Sequence, residues 1–334
     1  MLGIGYLFRK LFGLVTRPAS EVTAHNPIAP FVPPSDEAWR HLSKRDALAV
    51  WGLQQYADEL IDLAEPAVRL EIAPIDQANL TAGQSRLGGL PDLPPAHPWP
   101  TWRGKPMGFI AQIRLSDVAA TWAESGLPHR GYLYFWFDLN EQPWGSEIGD
   151  AGGFRVEFVE DESIAVVKRE LPKDYAWLDQ STFGSRTFTP CVVKCNRIST
   201  LPDANSELDW DPRIATLDIA RYSDFCEAIG RRSRKTDGFG HQLRGYPWCI
   251  QGEMREECAE KSRVLIKGDA ATAADTDFVA LRRTAPEWLL LAQFDSDETT
   301  GFAWGDAGII YYWIRRSDLQ ERRFDRIWGI LQCF

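Results

Sequence analysis

The chain repeats itself at long range. Gly108-Phe109-Ile110-Ala111-Gln112-Ile113 is answered by Leu289-Leu290-Leu291-Ala292-Gln293-Phe294, and Gly131-Tyr132-Leu133-Tyr134-Phe135-Trp136 by Gly308-Ile309-Ile310-Tyr311-Tyr312-Trp313. The displacements are 181 and 177 residues, so both order and near-spacing are kept. Upstream, Gly89-Leu90-Pro91 has a counterpart in Gly245-Tyr246-Pro247. One fragment breaks the order. Trp144-Gly145 and Gly149-Asp150-Ala151-Gly152 follow the aromatic segment in the first half, whereas Trp304-Gly305-Asp306-Ala307-Gly308 precedes it in the second. Solenoid repeats are far shorter than this, at roughly 20–50 residues. So long a period instead predicts two related halves, spanning residues 82–160 and 240–334, built into one pseudo-symmetric body.

The repeated segments are strands by their chemistry. Residues 109–115, 132–137, 288–294, 309–314 and 327–332 are short, apolar and rich in aromatic and β-branched side chains, and 154–160 alternates cleanly between apolar and polar. Residues 68–72 alternate in the same way. Helices are few: a stretch from Ser43 to Glu65 ended by Pro66, a short one capped by Ser116, and one over 218–230 followed by the basic run RRSRK. Five prolines between Pro91 and Pro100 make that segment extended and irregular. The expected fold class is therefore α+β and β-dominated, with two intertwined pseudo-symmetric halves, mostly antiparallel sheets and a few short helices. One domain from residue 36 to 334 is expected, preceded by an appendage over residues 1–35.

That appendage combines a basic amphipathic stretch with a proline-rich linker. Leu2, Tyr6, Leu7, Leu11, Leu14 and Val15 are apolar, while Arg9, Lys10 and Arg17 are basic. Arg9-Lys10 interrupts what a secretory apolar core would keep continuous, so no cleavable signal is expected. A segment of this kind can lie on an anionic membrane surface; packing on its own domain is the alternative. No apolar run is long enough to span a bilayer.

The 334 residues carry 37 Lys+Arg against 47 Asp+Glu, a net charge of −10. A dedicated nucleic-acid binder would show the opposite balance, and a basic protein partner suits this one. The six cysteines form no C-x-x-C pair, which fits a reduced, cytoplasmic protein with structural thiols. Five histidines include no H-E-x-x-H helix. Neither a G-x-S-x-G elbow nor a phosphate-binding P-loop is present. Chemistry, if any, would draw on Asp295, Asp297 and Asp306 as oxygen ligands for a divalent cation, with His241 as a base. Aspartates at these positions also make ordinary turns, and no cofactor is expected.

SRLGGLPDLP, GKPMGFIAQIRL, GYLYFWFD and QPW, followed by HQLRGYPWCIQG, LLLAQFDSD and FAWGDAGIIYYWIRRSDL, occur in one order. In that order, from about Ile72 to Phe334, they resemble the YwqG-like family of bacterial proteins. The resemblance implies a compact, mostly β fold with intertwined halves and implies no reaction. Some members of that family sit near toxin genes, which suggests an antitoxin-like or immunity role. Members often carry an aspartate after the second G-Y-P; here Trp248 stands there, while Asp92 keeps the acidic position of the first half.

Gln112 and Gln293 share one repeat position inside apolar strands. A buried amide must be satisfied, so they either pin backbone groups at equivalent places or read a ligand. Of the 14 tryptophans, Trp99, Trp144 and Trp248 fall in loops and are the surface-binding candidates. Three roles follow. The leading one is a non-catalytic protein-interaction module. A small-molecule or carbohydrate binder would show a tryptophan-lined pocket with Gln112 or Gln293. A metal-dependent hydrolase would need Asp295, Asp297, Asp306 and His241 to converge.

Overall fold

The structure, a computed structural model, describes residues 32, 34, 38–175, 187–204, 211–236, 240–267, 280 and 283–334. Residues 1–20 and nearly all of the proline-rich linker lie outside the described residues. Among the described residues no helix is long and apolar enough to cross a membrane.

Ten strands form one sheet: β1 (Glu65–Pro74), β2 (Arg86–Leu87), β3 (Gly108–Arg114), β4 (Tyr132–Phe137), β5 (Phe154–Val159), β6 (Cys191–Thr200), β7 (Gln242–Leu243), β8 (Trp288–Asp295), β9 (Ile309–Arg315) and β10 (Trp328–Gln332). Their order across the sheet is β10-β9-β8-β7-β1-β6-β2-β3-β4-β5, and every neighbouring pair is antiparallel. The order reads alike from either edge. β1 precedes the first-half strands yet pairs with β7, and β6 precedes the second-half strands yet pairs with β2. The halves are thus interlocked by an exchange of their leading strands. Those two strands pair with each other along their whole length, from Glu65 opposite Thr200 to Pro74 opposite Cys191.

The sheet curls until its edges nearly meet. Gly329 on β10 lies so close to β5 that a Cβ there would fall 1.9 Å from the Phe154 ring. Gly145 has φ +82°, and a Cβ on it would sit 1.9 Å from the Gly329 carbonyl oxygen. Only glycine fits either place. The seam is closed by hydrogen bonds from the Trp328 indole to Gly145 O and from Leu331 N to Trp144 O, both 2.9 Å.

The interior is aromatic and aliphatic. Phe135 packs against Phe294 and Tyr312, with ring centroids 5.1 and 5.2 Å away. Each half also buries its outer face, Tyr132, Tyr134 and Trp136 in one and Ile309, Tyr311 and Trp313 in the other. Because both faces are covered, these strands read as continuous apolar runs. The bulge at Phe109/Ala111 recurs at Leu290/Ala292.

The helical stretch expected from Ser43 to Glu65 is broken. α1 (Lys44–Val50) ends where Gly52 takes φ +68°, and α2 (Ala57–Asp62) follows. Pro66 is not a helix stop but the second residue of β1, beyond the reach of β7. Trp39, Trp51 and Tyr56 join Phe225 of α4 (Ile219–Thr236) in a separate core, once α3 (Leu115–Thr121) is counted in the first half. Ser116 does not cap α3; Arg114 occupies the cap position, and Ser116 N donates to Glu162 instead.

Candidate functional site

Equivalent bonds fix equivalent turns in the two halves. Gln112 accepts from Asp92 N at 2.9 Å and donates to Gln84 O at 3.2 Å. Gln293 accepts from Trp248 N at 3.0 Å and donates to Gly240 O at 2.9 Å. Tyr134 donates its hydroxyl to Asp92 O, and Tyr311 donates its own to Trp248 O. Both amides are buried and spent inside the chain. A buried donor or acceptor left unmade is costly, which explains glutamines amid apolar neighbours.

Behind these pins the halves use different chemistry. In the first, Arg86 is fully buried and meets Asp92 at 2.7 Å; Asp92 also accepts from Gly83 N at 2.8 Å, and Arg86 donates to Leu90 O. In the second, Gln242 stands for Arg86 and donates to Tyr246 O at 2.8 Å, while Trp248 stands for Asp92. The cation and the anion are absent together, so neither is left at these two positions without the other.

The turn after β7 opens a pocket. Arg244 holds φ +64° and Gly245 φ +70°, matching Gly88 at +65° and Gly89 at +67°. In the first half a Cβ at Gly88 would meet Thr189 O at 2.3 Å. The second half instead accommodates an arginine in a left-handed conformation, a strained state for a non-glycine residue. The Arg244 guanidinium donates to Leu290 O at 2.9 Å and to Ser125 O at 3.2 Å. Burial pushes its pKa down to about 10, and Glu65 acts on it through space without forming an ion pair. Trp288, Trp313, Tyr246, Asp203, Glu253 and Arg255 are among the other lining residues. Its cavity volume is small, about 40 Å³. Gln293 is not in its wall.

His241 is fully buried. Its Nδ1 accepts from Asp295 N at 3.2 Å, and its Nε2 has no hydrogen-bond partner. Burial lowers its pKa to about 4, with Asp297 opposing. Ser85 holds the matching place in the first half, accepting from Arg114 N and donating to Asp117. Asp295 is buried at the end of β8, and Asp297 accepts from Thr300 N at 2.9 Å in the following turn. Asp306 is exposed, and its carbonyl accepts from Phe334 N. Among the described residues no three His, Cys, Asp or Glu side chains are placed to hold a metal ion. The thiols of Cys191, Cys195 and Cys226 are pushed up to about 12 by burial, so they stay protonated and unreactive.

The three loop tryptophans differ in placement. Trp99 is half-buried, donates to Met107 O at 2.9 Å and packs edge-on to Trp136. Trp248 is half-buried against the outer core of the second half. Trp144 alone of the three is exposed, at 45%. Its loop is braced: Asp150 accepts from Gly145 N at 2.9 Å and from Glu147 N at 3.2 Å, while Arg103 pairs with Glu141 and donates to Gly149 O. Sequence reasoning missed Arg244, whose signal is an arginine at a glycine position of the aligned repeats.

No curated protein matches the chain. A family model described as a domain of unknown function (DUF1963) matches residues 85–333, from β2 to the end of β10, and the chain belongs to that family.

Proposed function

We propose that the protein works by binding another protein, without catalysis, and that Trp144 is the anchor of its binding surface. One observation carries this: a large aromatic side chain stands 45% exposed on a loop whose backbone is bonded on both sides. A rigid exposed tryptophan has little entropy left to lose on association and is the residue type most enriched at binding hot spots. Exposed Glu141 and Glu147 flank it, and the net charge is −10, so a basic partner would be steered toward it. The YwqG-like resemblance and its toxin-gene neighbourhoods point to an antitoxin or immunity role in the cytoplasm, with a basic toxin domain as partner. The repeated pins at Gln112 and Gln293 support an origin by duplication within one domain from residue 36.

Affinity capture from the native host, with wild type and Trp144→Ala in parallel, tests the proposal. A basic protein retained in stoichiometric amount by wild type and lost from the variant is the expected result. Identical recoveries from the two baits would overturn it.

A further inference from the structure

We infer that the cleft between α3 and β6 is a second site, separate from Trp144, and that it takes the phosphate ester of a small polyhydroxylated molecule, a sugar phosphate being the simplest case. The cavity there measures about 530 Å³, inside the span of roughly 300–1,000 Å³ that small-ligand sites occupy. Asp117 and Thr121 line it from α3, and Val193, Lys194 and Cys195 from β6. Gln84 and Arg114 line it as well. One buried residue holds these groups in place. Ser85 is 1% exposed. Its hydroxyl donates to Asp117 at 2.7 Å and accepts from Arg114 N at 2.9 Å, while its carbonyl accepts from Val193 N at 3.1 Å. The Thr121 hydroxyl lies 3.1 Å from Asp117 O and 3.4 Å from Cys195 O, so it bridges helix and strand. A site fixed in this way before a ligand arrives loses little entropy on binding.

Pseudo-symmetry shows that the fold does not require this arrangement. In the second half His241 stands for Ser85, and its Nδ1 accepts from Asp295 N, the counterpart of Arg114 N. The His241 Nε2 has no hydrogen-bond partner, so no acid is bonded there as Asp117 is bonded to Ser85. Among the described residues no helix separates β8 from β9, whereas α3, which carries Asp117, separates β3 from β4. The repeated sheet therefore forms with or without the carboxylate and the helix that make the cleft.

The lining sets the chemistry of the ligand. Arg114 comes no closer than 3.5 Å to its carboxylate neighbour Glu162, and among the described residues its guanidinium makes no hydrogen bond. Lys194 lies 3.9 Å from Glu71, too far for one. Neither Glu162 nor Glu71 is in the lining, so two cations face one carboxylate there, inside a chain of net charge −10. That balance favours an anion, and the planar fork of an arginine matches a phosphate. Asp117 gives one carboxylate oxygen to Ser85 and has the other unbonded among the described residues. An ionised carboxylate only accepts, so its partner on the ligand is a hydroxyl. Gln84 accepts from Thr81 N and keeps its amide N–H groups for a second hydroxyl. No Trp, Tyr or Phe is among the lining residues, so a nucleobase finds no ring to stack on, and a sugar phosphate suits the cleft better than a nucleotide.

The test is a thermal-shift screen of the full chain against ribose-5-phosphate, glucose-6-phosphate, fructose-6-phosphate and glycerol-3-phosphate at about 10 mM, a concentration that raises the melting point for any millimolar binder. Hits are then titrated by calorimetry beside the matching unphosphorylated polyol and inorganic phosphate. We expect at least one ester to bind, and both of its separate parts to bind at least about tenfold more weakly. Arg114→Gln removes the fork from an exposed position and should weaken the ester about tenfold, the scale of one charge-assisted hydrogen bond. Asp117→Asn keeps an oxygen for Ser85 and removes the charge. It should weaken the ester by a similar factor yet leave inorganic phosphate bound as before or more tightly, which a merely structural role would not do. If none of the four esters binds, the inference fails. It also fails if both variants bind the ester as wild type does, or if inorganic phosphate binds as well as the ester.

Discussion

Tyr312 donates its hydroxyl hydrogen to the carbonyl oxygen of Trp136 at 3.1 Å, and both residues are buried. The bond joins β9 of one half to β4 of the other through the interior of the curled sheet. Desolvation raises the phenol well above its ordinary pKa, so it stays a donor across the whole accessible pH range. Tyr312→Phe keeps the ring packing on Phe135 and Phe154 and removes the donor alone. We expect a loss of about 1–2 kcal/mol in denaturant unfolding, because the Trp136 carbonyl is left without that partner.

Gln112→Leu and Gln293→Leu each orphan a buried N–H and a carbonyl at a pinned turn. Each should cost about 2–4 kcal/mol by thermal or chemical melting, two unmade bonds at the usual penalty. Melting curves that overlay wild type would remove the structural role.

The Arg86–Asp92 pair invites a transplant of the second half's solution. Asp92→Trp alone strands a buried guanidinium and should cost about 3–5 kcal/mol. Adding Arg86→Gln should return about 1–3 kcal/mol of that loss, the coupling expected for residues in direct contact. Strict additivity in the double-mutant cycle would show that the two halves' chemistries are not interchangeable.

Two groups, the half-buried Glu257 and the buried His241, titrate in opposite senses. Glu257 on α5 (Arg255–Lys261) is raised to about 7, chiefly by burial, with Glu260, Asp150 and Glu147 adding to the effect. Its folded pKa lies above its unfolded value near 4.5, so its contribution is intact below 4.5 and is lost as pH rises through 7. Glu257→Gln should therefore be more stable than wild type at pH 8 and match it near pH 4.5. His241 is lowered from 6.5 to about 4, so its contribution is intact above 6.5 and is lost as pH falls through 4. His241→Gln should flatten the acid side of the stability profile. Chemical denaturation at a series of pH values checks both slopes.

Most of the strands are legible in the sequence because burial on two faces leaves unbroken apolar runs that occur twice. β6 is not, because Lys194, Asn196 and Arg197 interrupt it and half of its residues face away from the core. The exchange of β1 and β6 is also invisible, since nothing local marks a partner over a hundred residues away. The pins at Gln112 and Gln293 can be anticipated from the cost of a buried amide. The Arg244 pocket cannot, because composition around it is ordinary; only Gly88 aligned on Arg244 reveals that a side chain has entered a glycine position. Asp92 looks like a surface acid until Arg86, six residues earlier, is seen to be buried with it.

The exchanged strands also set a timetable for synthesis. Glu65 leaves the ribosome 135 residues before Thr200, its neighbour in the finished sheet. At about 5–20 residues per second, β1 waits roughly 7–27 s for its partner. Neither half can close its own sheet in the meantime. The nascent chain therefore carries β1 without this partner while 135 further residues are added, and the central β1–β6 pair forms only once Thr200 has emerged.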